Sequence, residues 1–324
     1  MAGQKRIVIS EDVTGNGIER LKMKYFVHAD ADLWKKDAEL KEAVQGADAW
    51  IVRNQTRVTA ALLSKGIALQ VVGRAGVGYD NIDIAAANQA GVVVSYSPEG
   101  NAISVAEHVF GLLLALARKI PGADRSVKNG KWERKKYHGT ELLGKTLGIL
   151  GLGKIGARVA LRAKAFGMRL VAYEAYLSTT HLHFTETGTS PVSFDQLLAE
   201  SDFLTVHLPL NEKTRGMLNI KAFEKMKPTA FLINASRGEI VVEKDLLKAL
   251  QEGKLAGAAL DVRETEPPAE SPLHLLENVI LTPHTAGLTF EAQEKVIDAV
   301  AEDVDRVLSG HPALRYVNFP LPKK

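Results

Sequence analysis

Three side chains suited to carbonyl reduction stand in three late loops, each directly after a run that reads as a strand. Arg237 follows residues 230–234 in Asn234-Ala235-Ser236-Arg237-Gly238. Glu266 follows 256–261, and His284 follows 279–282 in Thr282-Pro283-His284-Thr285-Ala286-Gly287. Taken singly, a surface arginine, a solvated glutamate and a helix-capping histidine are the commoner readings. In a parallel α/β sheet, however, ligands bind beyond the carboxyl ends of the strands, where all three stand.

What selects the set is a fourth element. Gly151-Leu152-Gly153-Lys154-Ile155-Gly156 lies between a predicted strand, 146–150, and a predicted helix, 155–166. Alone, GxGxxG is a weak signal that also describes a flexible turn. In this context the first glycine permits a tight turn, the second lets backbone approach a pyrophosphate, and the third allows close helix–strand packing. The helix start then offers unpaired N–H groups to the phosphates. Glu174 ends the next predicted strand, 170–173, 18 residues beyond Gly156 (174 − 156). A carboxylate there binds ribose hydroxyls and repels a 2′-phosphate, which favours NAD over NADP. A second glycine-rich segment, residues 73–78, has the wrong spacing for a dinucleotide loop. It admits two readings: a tight strand-to-helix turn, or a nest of backbone N–H groups for a substrate carboxylate.

The elements that must hold these groups alternate along the chain. Strands are predicted at 6–10, 49–53, 70–73 and 92–95, with amphipathic stretches such as 59–65 and 82–90 between them. A longer buried helix, 101–118, reads as a bridge into a second series, with a further strand at 203–207 and a helix at 243–251. The final helix, 290–308, is expected to return so that the tail packs with the N-terminal domain. This alternation is the pattern of parallel α/β architecture. With 324 residues, 46% hydrophobic and 24% charged, two domains are expected. A net charge of +3, with acids and bases mixed, gives no basic face for nucleic acid; only the run KWERKK, residues 131–136, needs explaining. The absence of cysteine excludes disulfides, thiol nucleophiles and thiolate metal sites. No signal peptide is visible, and the most apolar stretch, 109–117, is far short of the roughly 20 residues of a bilayer span. A soluble cytoplasmic protein without a metal site is the expectation.

At these residues the chain resembles the D-isomer-specific 2-hydroxyacid dehydrogenase family. The glycine loop, Ser236-Arg237-Gly238, Glu266-Pro267 and Pro283-His284 match in order and in approximate spacing, over essentially the whole chain. The likeness is closest to its phosphoglycerate dehydrogenase branch, notably at 72–80 (VGRAGVGYD) and 130–156. The resemblance implies two Rossmann-like parallel-sheet domains with the active site in the cleft between them. Residues 1–101 and 287–324 would form a discontinuous substrate domain, and 102–286 would bind NAD. It makes His284 the general acid in reduction and the general base in oxidation, with Glu266 on its other nitrogen. Arg237 would grip the substrate carboxylate and polarise the carbonyl. Val77 and Gly78 would complete the carboxylate cradle. Asp261, Ala235 and Ser236 would orient the nicotinamide, with His207, Leu208, Pro209, Ala286 and Gly287 beside the cofactor.

The implied reaction is oxidation of 3-phosphoglycerate to 3-phosphohydroxypyruvate, in serine biosynthesis. It requires a phosphate site, for which Arg53, Arg74, Arg134 and Lys135 are candidates; the plainer reading of 131–136 is a solvated basic loop. In relatives that segment lies near the dimer partner's active site, so a homodimer is also implied. Two departures from the pattern stand out. Glu174 replaces the aspartate of many relatives. No large C-terminal regulatory extension follows the last predicted helix, so serine feedback through one is expected to be missing. The nearest alternative is a glyoxylate or hydroxypyruvate reductase, which needs no phosphate site. A distant one, in a different class, is an NAD-sensing corepressor.

Overall fold

The computed structural model describes residues 4–323. The chain forms two compact units: one runs up to Asn101 and resumes at Leu288, and the other is Ala102–Gly287. Gly287 thus falls in the second unit.

The first unit carries strands β1 (Arg6–Ile9), β2 (Phe26–Ala29), β3 (Ala49–Val52), β4 (Val71–Arg74) and β5 (Val93–Tyr96), with helices α1 (Asn16–Lys24), α2 (Asp37–Gln45), α3 (Ala60–Leu63) and α4 (Ile84–Gln89). Its sheet order is β2-β1-β3-β4-β5 and every pairing is parallel. That order is the flavodoxin-like variant of the doubly wound scheme, with its switch point between β1 and β3. Successive side chains of a strand point to opposite faces, so one strand feeds two cores. Ile7 and Ile9 join one cluster with Ile51, Val71 and Val93, whereas Val8 joins the other with Trp50, Val52 and Val72.

The terminal helix, Phe290–Leu308, packs on this sheet and on α1. Thr289 caps it by accepting the Ala292 amide, and Val296, Val300, Val304 and Val307 recur at helical spacing on its buried stripe. At Gly73 of β4 a Cβ would stand 2.7 Å from Val300 and 3.0 Å from Val304, so this glycine lets the helix press onto the strand. Strand β2 was not expected. It is a half-exposed edge strand with Phe26 on the surface, so it lacks the apolar run that marked its neighbours.

The second unit carries β6 (Thr146–Leu150), β7 (Arg169–Tyr173), β8 (Ser190–Pro191), β9 (Phe203–Val206), β10 (Phe231–Asn234), β11 (Gly257–Leu260) and β12 (Val279–Leu281). Its helices are α5 (Ala102–Ala117), α6 (Ile120–Lys128), α7 (Lys154–Ala165), α8 (Leu182–Thr187), α9 (Phe194–Glu200), α10 (Ile220–Phe223) and α11 (Glu243–Gln251). The sheet order is β12-β11-β10-β9-β6-β7-β8, again all parallel. This is the Rossmann order with one added strand, and the switch point lies between β6 and β9. Helix α5 is buried along most of its length, as its Ala, Val and Leu spacing suggested. It covers β10, β11 and β12 beside α7. No helix among the described residues is long and apolar enough to cross a membrane.

Candidate active site

Because every strand of the second sheet runs the same way, six of its loops leave one edge together. In spatial order they carry His284 after β12, Asp261 and Glu266 after β11, Ala235–Arg237 after β10, His207 after β9, the glycine loop after β6, and Glu174 after β7. The glycine loop and His207 flank the switch point, where ligands bind in such sheets.

Steric facts account for each glycine. Gly151 has φ +97°, and a Cβ there would lie 2.8 Å from the carbonyl oxygen of His207. A Cβ on Gly156 would lie 2.2 Å from the carbonyl oxygen of Gly151. Gly153 is different, because a Cβ there would meet nothing within 4 Å. Its missing side chain leaves open space at the start of α7, where the first-turn amides of Gly153, Lys154 and Ile155 have no carbonyl within the helix. Glu174 accepts the Leu152 amide at 2.9 Å on one oxygen and the Tyr176 amide at 2.9 Å on the other, so it braces the loop. His207 pairs with Thr205 Oγ1 at 2.9 Å, and burial pulls its pKa down to about 3. Its ring is therefore neutral throughout the physiological range. Leu208 and Pro209 are strapped by their carbonyls, which accept the hydroxyls of Ser236 and Thr214. An open glycine, the start of helix α7 and a carboxylate at the next strand end together fit a dinucleotide.

The other side of the edge holds an acid–base pair. His284 Nδ1 lies 2.7 Å from Glu266 Oε2, and the second oxygen of Glu266 accepts the Arg263 amide at 3.0 Å. Burial raises the Glu266 carboxyl, but the His284 bond, the Arg263 amide and the charges of His284 and Arg237 outweigh it and hold the pKa below its ordinary value. An ionised Glu266 fixes the proton on Nδ1 and leaves Nε2 to exchange protons with a ligand. That nitrogen has no partner among the described residues, and the side chain is 37% exposed. Arg237 follows a turn braced by buried Asn234, whose side chain donates to the Arg237 carbonyl and accepts the Ser236 amide. At Gly238 a Cβ would lie 2.0 Å from the carbonyl carbon of Arg263. The Arg237 and Glu266 loops therefore approach as closely as only glycine allows.

Asp261 is the anchor of the His284 loop. Its carboxylate accepts the Thr282 hydroxyl and the amides of Thr285 (2.9 Å) and Ala286 (2.8 Å), and its carbonyl accepts the His284 amide at 2.7 Å. These bonds hold His284 at φ +55°, a left-handed conformation that costs a non-glycine residue on the order of 1 kcal/mol. Burial raises the Asp261 carboxyl, but His108, Thr282 and the two amides bring it net below the usual range. With both oxygens engaged inside the chain, its demonstrable task is to position the loop that bears His284.

The remaining candidates stand on other elements. Arg134 and Lys135 stand exposed in the 3-10 turn Arg134–Tyr137, with no side-chain partner among the described residues, whereas Lys136 pairs with Glu277 at 3.0 Å. In the first unit, Arg53 follows β3 at the switch point. Buried Glu11 accepts the amides of Arg53, Gln55 and Thr56, fixing that loop. Arg74 Nη1 donates to the Ala75 carbonyl, and its guanidinium fills the space beside Gly76. The amides of Ala75 and Gly76 are taken by the carbonyls of Val52 and Arg74, but those of Val77 and Gly78 have no partner among the described residues.

Three supporting residues escaped the reading of the sequence. Arg263 forms a two-pronged pair with Glu243 (2.9 and 2.7 Å) and stiffens the loop before Glu266. Histidine 108, His108 of α5, reaches Asp261 at 3.3 Å and Thr282 Oγ1 at 3.2 Å; a lone histidine in an apolar helix was its only signal. His183 of α8 touches the glycine loop, and nothing in the sequence marked it.

Comparison with known proteins agrees with this geometry. Residues 110–286 match the family model described as D-isomer specific 2-hydroxyacid dehydrogenase, NAD binding domain. A D-3-phosphoglycerate dehydrogenase of Synechocystis is 45% identical over 315 residues, which is 97% of this chain and 56% of that protein. The chain thus spans little more than half the length of that relative. The crystal structure of the TT0316 protein from Thermus thermophilus superposes with a TM-score of 0.90 at 32% identity, covering 96% of this chain and 99% of that one. A glyoxylate reductase from Paecilomyes thermophila gives 0.88 at 31% identity, covering 98% and 99%. The matched segment holds the glycine loop, Arg237, Glu266 and His284 alike, and the chain belongs to the D-isomer-specific 2-hydroxyacid dehydrogenase family.

Proposed function

We propose that this chain is an NAD-dependent oxidoreductase acting on a D-2-hydroxy or 2-keto acid, with 3-phosphoglycerate and 3-phosphohydroxypyruvate as its pair. The observation that carries the reaction class is the imidazole of His284, held by Glu266 at 2.7 Å with Nε2 free. In reduction, Nε2–H protonates the carbonyl oxygen; in oxidation, Nε2 takes the hydroxyl proton. Glu266 stays ionised and keeps the ring in the productive tautomer. Arg237 binds the substrate carboxylate and stabilises charge on the carbonyl oxygen. The glycine loop, with Glu174 toward the ribose, would hold NAD, which would supply or accept the hydride when bound. The unengaged amides of Val77 and Gly78 suit a carboxylate.

The choice of substrate draws on the 45% identity to a D-3-phosphoglycerate dehydrogenase, above the 31% to a glyoxylate reductase. Unpartnered Arg134 and Lys135, together with Arg53 and Arg74, offer charge for a phosphate. A homodimer is part of the proposal. Helix α6 and its surroundings expose Ile120, Val127 and Trp132, an apolar set suited to a second copy of the chain. An assay of NADH absorbance with 3-phosphoglycerate, hydroxypyruvate, glyoxylate and lactate, each with NAD and NADP cofactors, tests the reading. Preferred turnover of 3-phosphoglycerate with NAD supports it. Preference for glyoxylate removes the phosphate site, and no turnover of any acid removes the enzyme.

A further inference from the structure

The Leu152 residue of the glycine loop is gripped from two sides. Its N–H donates to Glu174 at 2.9 Å, and its carbonyl faces His183 Nδ1 at 2.8 Å. A carbonyl only accepts, so His183 carries its proton on Nδ1. The ring is itself set in place: the His183 amide donates to His181 Nδ1 at 3.2 Å, and the two rings meet edge to face with centroids 4.6 Å apart.

The Leu152 carbonyl shares a peptide plane with the N–H of Gly153. That peptide is trans, so the two groups point in opposite directions. Turning the carbonyl toward His183 therefore turns the Gly153 N–H toward the opposite side. Gly153 has no side chain to limit the rotation of its flanking peptides. Without a partner on the carbonyl, this peptide can flip, and a flipped plane would present an oxygen to an anion instead of a hydrogen.

We infer that His183 is a positioning residue for the cofactor diphosphate: it locks the Leu152–Gly153 peptide with its N–H directed at the anion. The inference rests on the reading of the glycine loop as the dinucleotide site. It assigns Glu174 and His183 separate tasks, the first toward the ribose and the second toward the phosphates.

The test is binding of NADH, followed by its fluorescence, with ADP-ribose and adenosine as competitors, on wild-type chain and on H183A, H183N and H183Q. An oriented bond to a charged phosphate is worth about tenfold in affinity. H183A is expected to weaken NADH and ADP-ribose by about that factor and to leave adenosine within about twofold, since adenosine has no phosphate. Turnover at saturating NADH should stay near wild type, placing the effect in KM. H183N puts an amide N–H where Nδ1 stood and should restore affinity, whereas H183Q is too long to do so. Unchanged NADH affinity in H183A, equal losses for adenosine and ADP-ribose, or rescue by Gln but not Asn would each overturn the inference. Wild-type chain that binds neither NADH nor ADP-ribose would remove the site reading and this inference with it.

Discussion

Replacing Asp261 with Asn isolates the anchor of the acid–base loop. The carboxylate is fully buried and accepts from Thr282 Oγ1 and the Thr285 amide on one oxygen and from the Ala286 amide on the other. An asparagine carbonyl can replace one oxygen only. Its NH2 group then faces a backbone N–H, donor against donor. Losing a charge-assisted bond costs about 1.5–3 kcal/mol, and a buried donor left without a partner costs about 1–3 kcal/mol more. The sum, about 2.5–6 kcal/mol, corresponds to a fall in melting temperature on the order of 10 °C for a unit of this size. The His284 amide keeps its bond to the Asp261 carbonyl, so the imidazole should shift without being released. A displacement of about 1 Å at a reacting group can cost about 100-fold in rate. Thermal unfolding by circular dichroism and steady-state NADH kinetics on the purified variant measure both effects. Melting within about 1 °C of wild type, with turnover within about twofold, would show that Asp261 does not anchor the loop, since a buried carboxylate with these partners cannot be so dispensable.

Glu266→Gln should destabilise the protein in a pH-dependent way. The folded carboxyl sits below its ordinary value of 4.5, so its contribution is present above that value and lost as pH falls through the lower folded one. Denaturation curves should therefore separate wild type from variant at neutral pH and converge in acid, and a pH-independent gap would contradict the assignment. Arg237→Gln should raise KM for the keto acid and lower kcat together; a change in stability alone would show that the guanidinium does not meet substrate. Arg134→Ala should reduce 3-phosphoglycerate oxidation by about tenfold while leaving glyoxylate reduction nearly unchanged, and equal effects would argue against a phosphate contact.

The parts of the site that follow apolar parallel strands were legible because such strands, fully buried like Thr146–Leu150 or half-buried like Val279–Leu281, read as short apolar runs bounded by loops. Residues 146–150, 230–234 and 279–282 were each placed within a residue or so, and with them the loops of Gly151, Arg237 and His284. The half-exposed edge strand Phe26–Ala29 has no comparable run and left no mark. What Asp261 does was equally hidden. Its partners Thr285 and Ala286 are 24 and 25 residues away, and only the fold brings their amides to its carboxylate. The glycines at 73–78 show how one motif divides in three dimensions. Gly73 admits the terminal helix and Gly76 the Arg74 guanidinium, and only the Val77 and Gly78 amides are left for a ligand.

In the proposed reaction the Glu266-held imidazole moves the proton that accompanies hydride transfer. This role is tested most directly by His284→Gln, with keto-acid reduction at saturating NADH measured beside NADH affinity. Loss of the proton donor predicts turnover lowered by about 100-fold or more, with NADH affinity within about twofold of wild type. Turnover close to that of the unaltered chain would contradict it.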